Sequence, residues 1–398
     1  MDVAEQARPV IGFRFAGVSA GIKAVAGKED LGLIVAERPS PAAGVFTTNQ
    51  VKAAPVTLSQ ARLRSGRLRA VSANSGCANC FTGKAGMKLA LDSCAAVAKE
   101  IDCPPELVAP CSTGVIGHLY DLEKYRAGVR AAAASLSADG LDRFARAIMT
   151  TDTVPKLAST SIRFGGTDVT IAGAAKGAGM IAPHMATLLA FIVTDADLTP
   201  AFMRRTLLAA LPESFNAVTI DGDMSTNDSL LMIASGAAAH RRPSSRDLKN
   251  FEQAASAIAK SLARQLVFDA EGATRLATIE VRGARSKSDA VKIARQIANS
   301  PLVKTAFFGC DPNVGRIVAA AGAAGVKLEP ELLTLAIGGV KVAERGMILT
   351  KELPSAVSAM GQREFTVRLD LKSGKAGADV ATSDLSLDYV RINAEYMT

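Results

Sequence analysis

Segments with the two-residue period of strands alternate with segments of helical period along this whole chain, and that alternation restricts it to an α/β architecture. Strand patterns cover Leu31–Ala36, Leu68–Ser72, Leu157–Phe164, Leu276–Val281 and Phe365–Leu371. Helical patterns cover Lys84–Ile101, Leu122–Ala134, Pro200–Ala210, Arg246–Leu266 and Asp289–Ile297. A chain of 398 residues patterned in this way builds one large unit or two moderate ones, in more than one layer. The polar stretch GARSKSD at 283–289 follows a strand pattern and marks the expected boundary between a main core, 1–282, and a smaller C-terminal domain, 283–398.

One segment departs from ordinary strand or helix chemistry. In KGAGMIAPHMATLL, Lys176 to Leu189, a glycine-rich basic turn runs into an apolar stretch that presents a single hydroxyl, Thr187, behind Ala186. Gly177 and Gly179 let the backbone approach a ligand closely, and a β-branched threonine has few χ1 options, so its hydroxyl can be aimed. A threonine hydroxyl is a poor nucleophile at neutral pH, and the nearest base in sequence is His184. Cleavage of the Ala186–Thr187 bond would supply a base, because the freed α-amino group has a pKa of about 7.7–8.0 and can accept the hydroxyl proton. The segment therefore points to a buried nucleophile beside a carboxylate-binding lysine. The other reading, a threonine packed within an apolar run, fits the local spacing too. A lone histidine in such a run is commonly a packing residue, so His184 is not placed in the catalytic set.

The segment KGAGMIAPHMATLLAFIVTDA resembles the cleavage and nucleophile region of the ornithine acetyltransferase family, the glutamate N-acetyltransferases of the cyclic arginine pathway. The resemblance continues in GVFTTNQVKAAPV at 44–56, NSGCANCFTG at 74–83, STGVIG at 112–117, TTDTVPK at 150–156 and SFNAVTIDGDMSTND at 214–228. EGAT at 271–274, SPLVKTAFFGCDPNVGRI at 300–317 and the terminal INAEYMT complete it in the family's order. Position 184, His here, is usually Asn in the family, and position 314, Val here, is often Trp.

That resemblance implies a layered α/β sandwich with helices outside two β-sheets, the DmpA-like fold, and N-terminal-nucleophile chemistry. It implies self-cleavage into an α chain, 1–186, and a β chain, 187–398, assembled as a tetramer of two of each. Thr187 would be cleavage site and acetyl carrier; Thr113 and Gly114 would stabilise the oxyanion; and Thr153, Lys176, Glu271, Asn393 and Thr398 would hold substrate. The implied reaction moves acetyl from N2-acetylornithine to glutamate, with acetyl-CoA as a possible second donor and no metal or cofactor. Two rival readings are an amidase or aminopeptidase with the same type of nucleophile, in which water resolves the acyl-enzyme, and a noncatalytic small-molecule-binding relative.

Composition fits a globular enzyme: 48% of residues are hydrophobic, 21% are charged, and 46 Lys and Arg stand against 38 Asp and Glu. The net charge of +8 forms no basic stripe or tail, so no nucleic-acid partner is expected, and His240-Arg241-Arg242 reads as an exposed loop. The opening MDVAEQARPVIGF lacks the basic and apolar regions of a signal peptide, and the expected location is the cytoplasm. Gly177 to Thr194 carries no charge with His184 neutral and approaches membrane-span length, but its glycines, proline and histidine favour a buried active-site segment. Cysteines 77, 80, 94, 103, 111 and 310 are expected to be reduced. Cys77 and Cys80 have CxxC spacing, but no second pair completes a metal site, and small buried thiols are the better reading.

Overall fold

In the computed structural model, which describes residues 2–182 and 188–395, the strand patterns assemble into two sheets. The first uses β1 (Phe13–Val18), β2 (Leu31–Phe46), β3 (Arg67–Cys77), β4 (Val108–Val115), β5 (Lys156–Phe164), β6 (Thr167–Lys176), β7 (Leu189–Thr194) and β9 (Ser229–Ala234). Its order is β4-β3-β2-β9-β7-β6-β5, with β1 on β2. The pairs β3–β4 and β7–β9 run parallel and the others antiparallel. The second sheet uses β8 (Val218–Thr219), β10 (Leu276–Ala284), β11 (Thr334–Ile337), β12 (Val340–Glu344), β13 (Met347–Ile348), β14 (Glu364–Asp370) and β15 (Ala376–Ser383), in the order β13-β12-β11-β14-β10-β15-β8.

Helices cover both sheets. They are α1 (Ala54–Arg62), α2 (Gly83–Glu100), α3 (Leu122–Ala134), α4 (Leu141–Ala147), α5 (Pro200–Ala210), α6 (Ser245–Phe268), α7 (Lys287–Ala298), α8 (Pro301–Phe308), α9 (Val314–Gly322), α10 (Leu353–Met360) and α11 (Leu387–Glu395). The α/β class, the two sheets and the helical layers agree with the expectation. So do the five helical spans read from the sequence, α3 and α5 to the residue and the others within two residues at either end. Their starts are chemically marked: Asp121 accepts the N–H groups of Glu123 and Lys124 at α3, and Ser244 with Asp247 closes a capping box at α6.

The centre of the first sheet explains the uncharged run that ends at Thr194. Strands β7, LAFIVT, and β9, SLLMIA, are buried at every position, and an unbroken apolar run is what a strand covered on both faces requires. Leu189, Phe191 and Val193 pack with Phe15 and with Phe144 of α4 on one face. Ala190 and Ile192 pack on the other with Leu207 of α5 and Ile258 and Leu262 of α6. Each large side chain so buried contributes about 1.5–3 kcal/mol. No helix among the described residues is long and apolar enough to cross a membrane.

Strand β2 runs further than its sequence pattern indicates. Its first half pairs with β1 and β3, its register slips between Val35 and Ser40, and residues 42–46 then pair with β9. Pro39 and Pro41 read as a strand end because proline removes a ladder donor, yet here they occupy the irregular joint where one strand passes between two sets of partners. Helix α6 ties the sheets together, packing on β5 and β6 and reaching β15 and β8.

Candidate active site

The parallel pair β3–β4 ends in two glycines that face each other, Gly76 and Gly114. Gly114 has φ +126°, and a Cβ there would lie 2.4 Å from the carbonyl carbon of Gly76, so the crossing admits no side chain. It leaves the backbone of Gly114 next to the buried hydroxyl of Thr113. Lys176, the last residue of β6, reaches the same point: its Nζ donates to Thr150 Oγ1 at 2.7 Å and Thr113 Oγ1 at 3.3 Å, and stands 3.8 Å from Asp152 Oδ2. Only 3% of Lys176 is exposed, so it is no solvated loop lysine.

An alternating ionic chain supports it. Asp152 accepts from Lys156 Nζ at 2.5 Å and from the N–H of Gly177 at 2.6 Å on Oδ1, and from the N–H of Thr150 at 2.9 Å on Oδ2. Lys156 also pairs with Asp269. Burial alone would raise the Asp152 carboxyl, but Lys176 and Lys156 override it and hold it far below the ordinary carboxylate range. Burial lowers Lys176, against the pull of Asp152.

From Lys176 the chain enters a loop fixed by acids. Asp221 accepts the N–H groups of Met180 at 2.6 Å and Ile181 at 2.9 Å. The N–H of Glu271 donates to the Ala178 carbonyl at 2.9 Å. The Glu271 carboxylate lies against Gly179, where a Cβ would come within 2.5 Å of Oε2. Asn393 Nδ2 donates to Glu271 Oε2 at 2.8 Å, so α11 returns the C-terminal segment to this loop within one chain. Tyr389 of the same helix donates to Asp221 Oδ2 at 3.3 Å. After residues 183–187 the described chain resumes at Leu188, whose N–H donates at 2.9 Å to Oδ1 of the buried Asp228. The other Asp228 oxygen has no hydrogen-bond partner among the described residues, and burial pushes this carboxyl well above its usual range.

The structure thus brings Thr113, Gly114 and Lys176 together and places Glu271, held by Asn393, against the loop that follows. Thr187, Ala186, His184 and Thr398 lie outside the described residues. Thr153 joins less directly: its N–H, at 2.9 Å, and its hydroxyl both donate to Asp269, beyond Lys156. Sequence reasoning missed Thr150, Asp152, Lys156, Asp221, Asp228 and Tyr389. Short acid-bearing motifs, TDT at 151–153, IDGD at 220–223 and TND at 226–228, were the signal available. Lys156 has one partner four residues away, Asp152, but its full burial is not legible locally because its second partner, Asp269, is remote in sequence. Cys77 and Cys80 are buried thiols, with Cys77 donating to the His118 carbonyl at 3.2 Å, and burial raises Cys77. Among the described residues no group of His, Cys, Asp and Glu is arranged to hold a metal ion.

Residues 14–398 match the profile of the ArgJ family. The chain is 47% identical to the arginine biosynthesis bifunctional protein ArgJ of Geobacter sulfurreducens over 98% of this chain and 100% of that protein. It is 43% identical to the protein of the same description from Desulfotalea psychrophila, over 97% of this chain and 98% of that one. A crystal structure of the arginine biosynthesis bifunctional protein argJ from Bacillus halodurans superposes with a TM-score of 0.50 at 35% identity, covering 52% of this chain and 98% of that chain.

Proposed function

The chain belongs to the ArgJ family, and we infer from this membership that it is a bifunctional acetyltransferase of arginine biosynthesis. The reading is that it moves acetyl from N2-acetylornithine to glutamate through an acetyl-threonine on Thr187. The observation that carries it is the convergence of a buried cation, a hydroxyl and a glycine backbone at Lys176, Thr113 and Gly114 with an acid at Glu271, around the ends of the segment 183–187.

In the precursor, the Thr187 hydroxyl would attack the Ala186 carbonyl, giving an ester that water opens. A fragment beginning at Thr187 is just over half of this chain, in keeping with the share matched by the whole Bacillus halodurans chain. The freed α-amine would then take the hydroxyl proton as Thr187 attacks the acetyl carbonyl of acetylornithine. The oxyanion would rest on Thr113 and Gly114, and ornithine would leave with the proton. Glutamate would take the acetyl group by the reverse steps. The α-carboxylate of either amino acid suits Lys176, and the ammonium of acetylornithine suits Glu271 held by Asn393. Thr153 and Thr398 complete the proposed substrate set. The chemistry calls for no metal or cofactor, and acetyl-CoA is the proposed second donor. Residues 1–282 would form the catalytic core and 283–398 the smaller unit that returns the tail. A cytoplasmic tetramer of two α and two β chains is part of the same proposal.

Intact mass under denaturing conditions, followed by acetyl transfer from acetylornithine to glutamate, tests the reading. Two fragments meeting at Ala186 and Thr187 with transfer faster than hydrolysis would support it; an intact, inactive chain would reject it. Thr113→Val keeps the shape and removes the hydroxyl, and kcat is expected to fall by roughly 10²–10³ with little change in KM. Glu271→Gln is expected to raise KM for acetylornithine about tenfold, the loss of one charge-assisted contact. An unchanged KM would remove Glu271 from that role.

A further inference from the structure

The acetyl-transfer steps leave one buried acid beside the ends of the segment 183–187 unused. Asp228 closes the stretch TIDGDMSTND and immediately precedes β9. It is fully buried, and its side chain lies where the described chain resumes: Oδ1 accepts the N–H of Leu188 at 2.9 Å. Leu188 is gripped on its other side too, its carbonyl accepting the N–H of Ser229 at 3.0 Å. Leu188 is bonded to Thr187, and covalent geometry keeps their Cα atoms ~3.8 Å apart. The carboxyl is therefore fixed within one residue of the proposed nucleophile.

The preceding residue ties the same carboxyl to the oxyanion pair. Asn227 is buried, and its Nδ2 donates to the carbonyls of Ala78 at 2.7 Å and Ser112 at 2.8 Å. Ser112 directly precedes Thr113. Thr226 Oγ1 orients that amide by donating to Asn227 Oδ1 at 2.6 Å, and the Thr47 N–H donates to the Asp228 carbonyl at 3.0 Å. Strands β4 and β7 do not pair with each other. Two consecutive residues bridge them instead, one holding the residue before Thr113 and the other the residue after Thr187.

The second oxygen of Asp228 has nothing to do in this bracket. Oδ2 is buried without a hydrogen-bond partner among the described residues, a position that suits a carboxylic acid better than a carboxylate. Thr47 Oγ1 is committed to the Ser225 carbonyl at 2.8 Å, and Ser225 Oγ accepts the Asn227 N–H at 3.1 Å. Burial dominates this carboxyl and pushes it well above its usual range, against the Leu188 N–H, the Ser225 and Thr47 hydroxyls and the charge of Lys176, all of which favour ionisation.

An amide nitrogen leaves only with a proton, and before the cut no free α-amine exists to relay one. We propose that Asp228 is the general acid of self-cleavage, giving its proton to the Thr187 nitrogen as that nitrogen parts from Ala186. The proposal rests on the self-processing reading of Thr187. In the step, the Thr187 oxygen forms a bond to the Ala186 carbonyl carbon, the oxyanion rests on Thr113 and Gly114, and the carbon–nitrogen bond breaks. The nitrogen takes the Asp228 proton, and in the same exchange the carboxylate takes the proton of the attacking hydroxyl. Asp228 ends as it began; one proton has moved from oxygen to nitrogen and the acyl group has moved from nitrogen to oxygen. Water then opens the ester, leaving its oxygen on Ala186 as carboxylate and returning the hydroxyl to Thr187.

The test is cell-free synthesis of the full chain, with the uncut fraction followed in time by intact mass, for wild type, Asp228→Asn and Asp228→Glu. Asparagine keeps the volume and the acceptor for the Leu188 N–H and removes only the transferable proton. Asp228→Asn is expected to cut roughly 10²- to 10⁴-fold more slowly than wild type, the usual worth of a general acid. Asp228→Glu, which restores an acid on a longer arm, is expected to cut faster than Asp228→Asn. In the uncut Thr187→Ala background, Asp228→Asn is expected to unfold at the same denaturant concentration as Thr187→Ala alone. Cutting of Asp228→Asn at the wild-type rate would overturn the role of Asp228 while leaving self-processing standing. A lowered denaturant midpoint, or Asp228→Glu no faster than Asp228→Asn, would make Asp228 a structural group and overturn the role as well. Wild type that stays intact would remove the self-processing reading and the proposal with it.

Discussion

Thr187→Ala is expected to stay a single polypeptide of full mass and to lose acetyl transfer by roughly 10⁴- to 10⁶-fold, the range found when a covalent nucleophile is removed. Both losses have one cause. The hydroxyl that would open the Ala186–Thr187 bond is the hydroxyl that would carry acetyl, and the base that assists transfer is itself a product of the cut. Thr187→Ser separates the methyl group from the hydroxyl: it should still be cut and still turn over, more slowly because the oxygen has more rotamers to explore. Intact mass and turnover are read on the same samples. A cleaved Thr187→Ala chain would show that another group performs the cut and would detach processing from catalysis.

Asp152→Asn is expected to give the largest loss of stability among single changes near the site, about 3–5 kcal/mol, because it leaves the buried ammonium of Lys176 without its acid. Lys156 keeps Asp269, so the cost falls on the catalytic side of the chain of charges. The pH dependence has a definite sign. The Asp152 carboxyl is depressed when folded, so its contribution is whole above the unfolded value of 3.8 and is lost as pH falls toward the folded one. The variant should therefore show a flatter acid limb than its parent between about pH 5 and pH 2. Denaturant midpoints measured in the uncut Thr187→Ala background give one chain and a defined equilibrium. Parallel acid limbs would mean that the carboxylate is not held by the lysines. Loss of activity without loss of stability would make Asp152 a group that only orients Lys176.

Much of this was legible in the sequence because it is written locally. The helical spans follow from apolar periodicity bounded by caps such as Asp121 and Ser244, and Lys176 announces itself by the glycines after it. What escaped is long-range. The second half of β2 was hidden by Pro39 and Pro41, whose local meaning is an end and whose actual place is a joint between partners. The burial of Lys156 could not be read either, because its two carboxylates, Asp152 and the remote Asp269, close on it only in the assembled fold. Asp228 gave no sign that it would hold the N–H of Leu188, because β7 and β9 meet only in the assembled sheet. Asn393 could be placed near the site by resemblance alone, and the physical reason is α11, whose Tyr389 and Asn393 reach back to Asp221 and Glu271.

The strand order would give the proposed cut a thermodynamic meaning. Strands β7 and β9, which follow the proposed cleavage point in the chain, lie between β2 and β6, which precede it. The second sheet falls wholly within 187–398 and only the first is divided, so the bond would be severed inside a structure that goes on holding both pieces through the β2–β9 and β6–β7 ladders. Before the cut, unfolding yields one molecule that can find its fold again; afterwards it yields two, which gain translational freedom on parting and must meet to recover. The mature protein would then persist by the slowness of its unfolding rather than by equilibrium, and a heating and cooling cycle should show hysteresis that depends on concentration.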